Sequence, residues 1–150
     1  MPRALILVDV QNDFLSGGAL AVPEGDAILP VVDNLIPAFE TVIATQDWHP
    51  ADHGSFAANH AGKEIGETIK LDGLSQILWP VHCVQDTHGA ECADMIDRSR
   101  LAAVFQKGTD PYIDSYSGFF DNGHRKATGL GDWLAQRDIT DVYICGLATD

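Results

Sequence analysis

Four short apolar runs govern what this 150-residue chain can become. They are Ala4-Leu5-Ile6-Leu7-Val8, Thr41-Val42-Ile43-Ala44-Thr45, Leu101 to Gln106 and Asp141 to Cys145. The first is apolar throughout, which predicts a strand buried on both faces, as parallel sheets require. Between the first two runs, Ile28, Val32, Leu35, Ile36 and Phe39 follow the spacing of an apolar helix stripe. Asp26 is the expected N-cap, Pro30 falls early enough to be tolerated, and Pro37 should end the helix. Further helices are predicted over Gly89 to Arg100 and over Gly131 to Arg137, the latter turning Trp133 and Leu134 inward. Residues 46–80 show no long periodic segment, and a connection of that length in a compact domain usually carries function.

This alternation predicts an α/β fold: a parallel sheet in a three-layer α-β-α, Rossmann-like arrangement with right-handed crossovers. The length suits one domain, residues 1–150. The formal charge is −13, from 22 acidic and 9 basic side chains. That balance argues against nucleic acid and anionic membranes as partners, because phosphate binding needs a basic face. Three cysteines, Cys83, Cys92 and Cys145, are too few and too irregularly spaced for a disulfide framework, which suits a reducing cytoplasm. No targeting pattern is read at the N-terminus.

Ligands of open α/β sheets bind beyond the carboxyl ends of the strands. The residues just past the apolar runs are Asp9, then Asp47 and His49, then Lys107, then Gly146 to Asp150. Asp47, His49 and His53 offer three metal ligands within seven residues, and His82 returns from the long loop as another. Carboxylate with imidazole suits Zn, Fe or Mn; the bland alternative is a set of hydrogen-bonded loop side chains. Asp9 and Lys107 taken singly read as a turn carboxylate and a surface lysine. Taken together they place opposite charges on neighbouring strand ends. No Gly-x-Ser-x-Gly elbow is present, and the three thiols read as buried and inert, with Cys145 in a strand and Cys92 on a helix. Phe14, Trp48, Trp79 and Tyr116 lie near these polar groups, and Phe14 and Trp79 could wall a flat pocket.

The segments Asp9-Val10-Gln11-Asn12-Asp13-Phe14, Asp47-Trp48-His49-Pro50, Trp79-Pro80-Val81-His82-Cys83, Phe105-Gln106-Lys107-Gly108, Tyr116-Ser117-Gly118-Phe119 and Cys145-Gly146-Leu147-Ala148-Thr149-Asp150 carry a family resemblance. The chain resembles the bacterial nicotinamidase/pyrazinamidase branch of the isochorismatase-like cysteine hydrolases, from its first strand to its last residue. The resemblance implies a metal-dependent amidohydrolase that deaminates nicotinamide to nicotinate through a thioester, in NAD salvage in the cytoplasm, with pyrazinamide as a second substrate. It implies Asp9 as general base and Lys107 as the cationic member of a triad. Asp47, His49 and His82 become ligands of one divalent ion, Zn or Fe ahead of Mn; His53 matches a ligand that water replaces in some members. Phe14 and Trp79 would sandwich the ring and Tyr116 close the pocket. A cis peptide at Leu147–Ala148 would aim the Ala148 amide at an oxyanion. The nucleophilic cysteine would stand two positions past Asp150, so the domain is expected to lack its nucleophile and its C-terminal part. A homodimer stays open beside a monomer. The competing readings are an amidase of the same superfamily acting on another small amide and, more remotely, a non-catalytic receiver-like or binding domain.

Overall fold

The computed structural model describes residues 1–150. Its main sheet has four strands: β1 (Arg3–Val8), β2 (Thr41–Asp47), β5 (Leu101–Lys107) and β6 (Asp141–Gly146), in the order β5-β2-β1-β6. All three pairings are parallel, with Ala4 opposite Thr41 and Val142 across the sheet centre. The four apolar runs therefore become the four strands. Continuous burial over Ala4 to Leu7 follows from covering both faces. Leu5 and Leu7 join the larger core with Val32 and Ile36, whereas Ala4 and Ile6 pack with Leu130 and Leu134. Successive side chains of one strand thus feed two layers of helix.

Helix α1 (Leu29–Leu35) supplies the first layer, extended by 3-10 turns at Gly25–Ile28 and Ile36–Ala38. Pro30 sits in its first turn and Pro37 in the closing 3-10 turn, where missing N–H groups cost little. Asp26 does not cap this helix; its carboxylate accepts the Ser16 N–H at 2.8 Å and ties down the preceding loop instead. Helix α2 (Leu130–Ala135) supplies the second layer, burying Leu130 and Leu134 and leaving Trp133 half-buried beneath the Arg137 guanidinium.

Two expectations need correction. Residues 89–100 form no α-helix, only 3-10 turns at His88–Ala90 and Arg98–Arg100. Their apolar spacing is real, since Ala90, Ala93 and Ile96 are buried. The backbone is engaged elsewhere: Cys92 bridges Gln11, the Ala93 N–H donates to the Val10 carbonyl, and the Asn12 N–H donates to the Glu91 carbonyl. Cys92 is accordingly not on a helix. The long 46–80 segment contains an antiparallel hairpin, β3 (Thr68–Leu71) and β4 (Leu74–Ile77). Asp72 and Gly73 both have positive φ, as a two-residue hairpin turn demands. No helix is long and apolar enough to cross a membrane.

Because Leu5 is 1% exposed and feeds the larger core, Leu5→Ala should cost about 2–5 kcal/mol in urea unfolding. Val104→Ala, at a side chain 44% exposed on the edge strand, should stay within about 0.5 kcal/mol.

Candidate functional site

Parallel register brings the ends of β1, β2 and β5 side by side, with Asp47 directly opposite Lys107. The Lys107 ammonium lies 2.6 Å from Asp47 Oδ1 and 2.9 Å from Asp9 Oδ2, and donates to the Ser115 carbonyl at 3.0 Å. Thr45 donates its hydroxyl to Asp9 Oδ1 at 2.6 Å. Asp9 Oδ2 is buried and has the Lys107 ammonium as its one polar neighbour. The sequence pairs Lys107 with Asp9; the structure has the same ammonium bridge both carboxylates.

These environments push the two carboxyl groups apart. Burial raises the pKa of Asp9, and the nearby Asp47 charge adds to it against the opposing pull of Lys107. Burial also opposes ionisation of Asp47, but the Lys107 charge, with the two imidazoles that face its other oxygen, outweighs it and holds that carboxyl well below the usual range. Two carboxyls of opposite shift in one site separate the proton acceptor from the permanently charged group. Desolvation disfavours the Lys107 cation, yet Asp47 and Asp9 reverse this and keep it protonated. The Asp47 contribution to stability is therefore present at neutral pH. It drains away only as pH falls from about 3.9 toward the lower folded value.

Asp47 Oδ2 faces His49 Nε2 at 3.5 Å and His82 Nε2 at 3.6 Å. In each imidazole the other nitrogen is held by a carbonyl: His49 Nδ1 by Gly108 at 2.7 Å, His82 Nδ1 by Pro80 at 2.7 Å. In the neutral imidazole this leaves Nε2 without a proton, the arrangement in which imidazole ligates metal. His49 Nε2 is buried with no hydrogen-bond partner. A buried orphan nitrogen beside a carboxylate and a second free nitrogen fits a divalent cation, and the three ligand atoms lie within 4.8 Å of one another. His53 is brought close, its ring 4.4 Å from that of His49, and groups with His49 and Asp114. Both of its nitrogens have partners, Ser55 Oγ at 2.7 Å and the Ile113 carbonyl at 3.3 Å.

Gly108 shows how closely this is fitted. Its φ of +65° favours glycine, and a Cβ there would strike the His49 ring. Gln11, not singled out in the sequence, clamps Asp47 from behind. It accepts from the Asp47 N–H at 2.9 Å and donates to the Asp47 carbonyl at 2.8 Å. No sequence pattern marks this role, because it depends on which backbone lies within reach. Asp114, also missed, is a buried carboxylate lining the pocket.

A cavity of about 490 Å³ opens over these groups, lined by Asp9, Asp47, His82 and Lys107 and walled by Phe14, Trp79 and Tyr116. Leu147 and Ala148 also line it, positioned by the Leu147 N–H donating to the Val8 carbonyl at 3.0 Å. The Leu147–Ala148 peptide is trans, which corrects the cis expectation. A non-proline cis bond costs about 3–4 kcal/mol and persists only where surrounding structure enforces it. Trp48 packs against the larger core instead of the cavity. None of the three cysteines lines the cavity. Burial raises the thiol pKa of all three, most strongly Cys83, beside the Asp47 charge.

Strand-end carboxylates joined by one ammonium, beside a carboxylate–imidazole trio, define an α/β protein equipped for proton transfer and metal binding. Residues 3–150 match the family model described as Isochorismatase domain. The chain is 54% identical to the nicotinamidase of Escherichia coli (strain K12) over 153 residues, covering 99% of this chain and 71% of that one. The structure of an Acinetobacter baumanii nicotinamidase/pyrazinamidase superposes with a TM-score of 0.92 at 48% identity, over 97% of this chain and 70% of that one. A zinc complex of the Pyrococcus horikoshii pyrazinamidase gives 0.76 at 39% identity, over 99% and 72%. The chain belongs to the isochorismatase domain family.

Two outcomes test this site. Lys107→Met leaves two buried carboxylates without their cation and should cost about 3–5 kcal/mol in chelator at pH 8. The loss should shrink toward pH 5, because unpaired carboxylates take up protons more readily folded than unfolded, so stability then falls as pH rises. His49→Ala should abolish stoichiometric Zn²⁺ binding in titration calorimetry, whereas His53→Ala should retain it.

Proposed function

We propose that this chain carries the catalytic framework of an amidohydrolase that converts nicotinamide to nicotinate and ammonia, and pyrazinamide to pyrazinoate. The observation that carries this reading is one cavity that joins the Asp9–Lys107 pair, the Asp47–His82 side of the ligand trio and three aromatic walls. Its volume admits a small aromatic amide. The nicotinamidase relatives support the same substrate. An amidase for another small amide is the alternative, and a panel of ring and open-chain amides separates the two.

Phe14 and Trp79 hold the ring by its faces, and Tyr116 borders the cavity mouth. Asp47, His49 and His82 would hold one divalent ion, Zn or Fe ahead of Mn, with His53 as a further candidate. When bound, such an ion would anchor the ring nitrogen and so fix the carboxamide for attack. Asp9 accepts the proton of an attacking thiol, which the family resemblance would place two positions past Asp150, and Lys107 stabilises the charged pair. Attack on the carboxamide carbon develops an oxyanion, which backbone N–H groups at the cavity wall would stabilise. Asp9 then returns its proton to the departing ammonia, leaving a thioester. It next deprotonates the water that releases nicotinate. The raised pKa of Asp9 suits both directions of transfer. The reaction belongs to NAD salvage in the cytoplasm, and sedimentation tests a homodimer as its assembly.

In the protein that carries the thiol, Asp9→Asn and Lys107→Ala should each reduce ammonia release by at least about a hundredfold. Near-normal turnover in either removes that residue from the mechanism. The 150-residue chain should bind nicotinamide without releasing ammonia, because no thiol of its own faces the cavity; turnover by a chain of confirmed mass would contradict this.

A further inference from the structure

One buried polar side chain near the cavity has no part in the scheme above. Gln76 lies on β4, whose other residues are half-buried or exposed, yet it is 3% exposed. Burying an amide is costly unless its hydrogen bonds are satisfied. Its Nε2 lies 2.7 Å from the Ile77 carbonyl and 2.9 Å from Tyr116 Oη. A carbonyl only accepts, so the atom facing it is the amide nitrogen, and the bond to Tyr116 runs from Gln76 to the phenol. Trp79 Nε1, a donor only, reaches the same oxygen at 3.2 Å. Two N–H groups therefore occupy the acceptor capacity of Tyr116 Oη. The phenol's own proton is spent on neither.

Gln76 and Trp79 come from the hairpin side of the pocket, and Tyr116 from the loop after β5. The phenol oxygen is where the two sides meet, and both aromatic rings line the cavity. Resting on the function proposed above, we infer that Gln76 is a positioning residue for substrate: by donating to Tyr116 Oη it fixes that ring at the pocket wall and leaves the phenol proton free for an acceptor on the bound amide. Gln76 itself does not line the cavity. It acts on substrate affinity through Tyr116 and leaves the Asp9–Lys107 chemistry alone.

The test is titration calorimetry of nicotinamide into the Zn²⁺-loaded chain, for wild type, Gln76→Leu, Gln76→Glu, Tyr116→Phe and the Gln76→Leu/Tyr116→Phe pair. Gln76→Leu and Tyr116→Phe should each weaken binding about fivefold. The double variant should be no weaker than Tyr116→Phe alone, since both remove one shared interaction. In Gln76→Glu the atom that replaces Nε2 carries a single proton, which the Ile77 carbonyl takes, so toward Tyr116 Oη it accepts instead of donating, draws the phenol proton out of the pocket and should bind as weakly as Gln76→Leu. Zn²⁺ affinity should be unchanged in all four, which a general loosening of the fold would not allow. Wild-type affinity in Gln76→Leu or Gln76→Glu, or additive losses in the pair, would overturn the inference. If Gln76→Leu does not fold, Gln76→Glu decides it alone. Failure of the wild-type chain to bind nicotinamide overturns the functional reading beneath it.

Discussion

The site is organised around one ammonium group. Lys107 reaches from the end of β5 to carboxylates at the ends of β1 and β2, at 2.9 and 2.6 Å. Without that cation the two carboxylates would repel in a buried region where water cannot screen them. With it, Asp47 can give one oxygen to Lys107 and turn the other toward two imidazoles. The cluster of two carboxylates and one ammonium keeps a net negative charge, which a divalent cation complements. The acid–base pair and the ligand trio are therefore one electrostatic unit that shares Asp47.

The rest of the fold holds this unit still. Parallel register sets Asp47 against Lys107, and Gln11 continues the strand pairing past the end of β1 by binding both backbone groups of Asp47. Glycine at 108 lets the backbone come close enough to His49 for its carbonyl to fix the ring. Such outer partners set ligand orientation in metal sites and are as necessary as the ligands. The aromatic side of the pocket is held separately, by hydrogen bonds that converge on Tyr116.

Much of this was legible in the sequence because strands buried on both faces leave an unbroken apolar run. Residues that follow such runs must emerge at one sheet edge, so Asp9, Asp47 and Lys107 could be placed together before any coordinates. The 89–100 segment misled because its alanine and isoleucine spacing matches a helix, while its backbone is taken by residues 10–12. The hairpin escaped because four-residue strands offer too few alternations to register. Asp72-Gly73 was the available signal, a dipeptide suited to two successive positive φ angles. Gln11, Gln76 and Asp114 were not legible at all. Their roles depend on side-chain reach across the fold, which no local pattern encodes.

The most direct test of the shared unit is anomalous diffraction from crystals grown with Zn²⁺ and nicotinamide. The account predicts a metal peak bounded by Asp47, His49 and His82, with the ring between Phe14 and Trp79 and the carboxamide toward Asp9 and Lys107. A metal peak held by other residues, or nicotinamide bound outside this cavity, would contradict it.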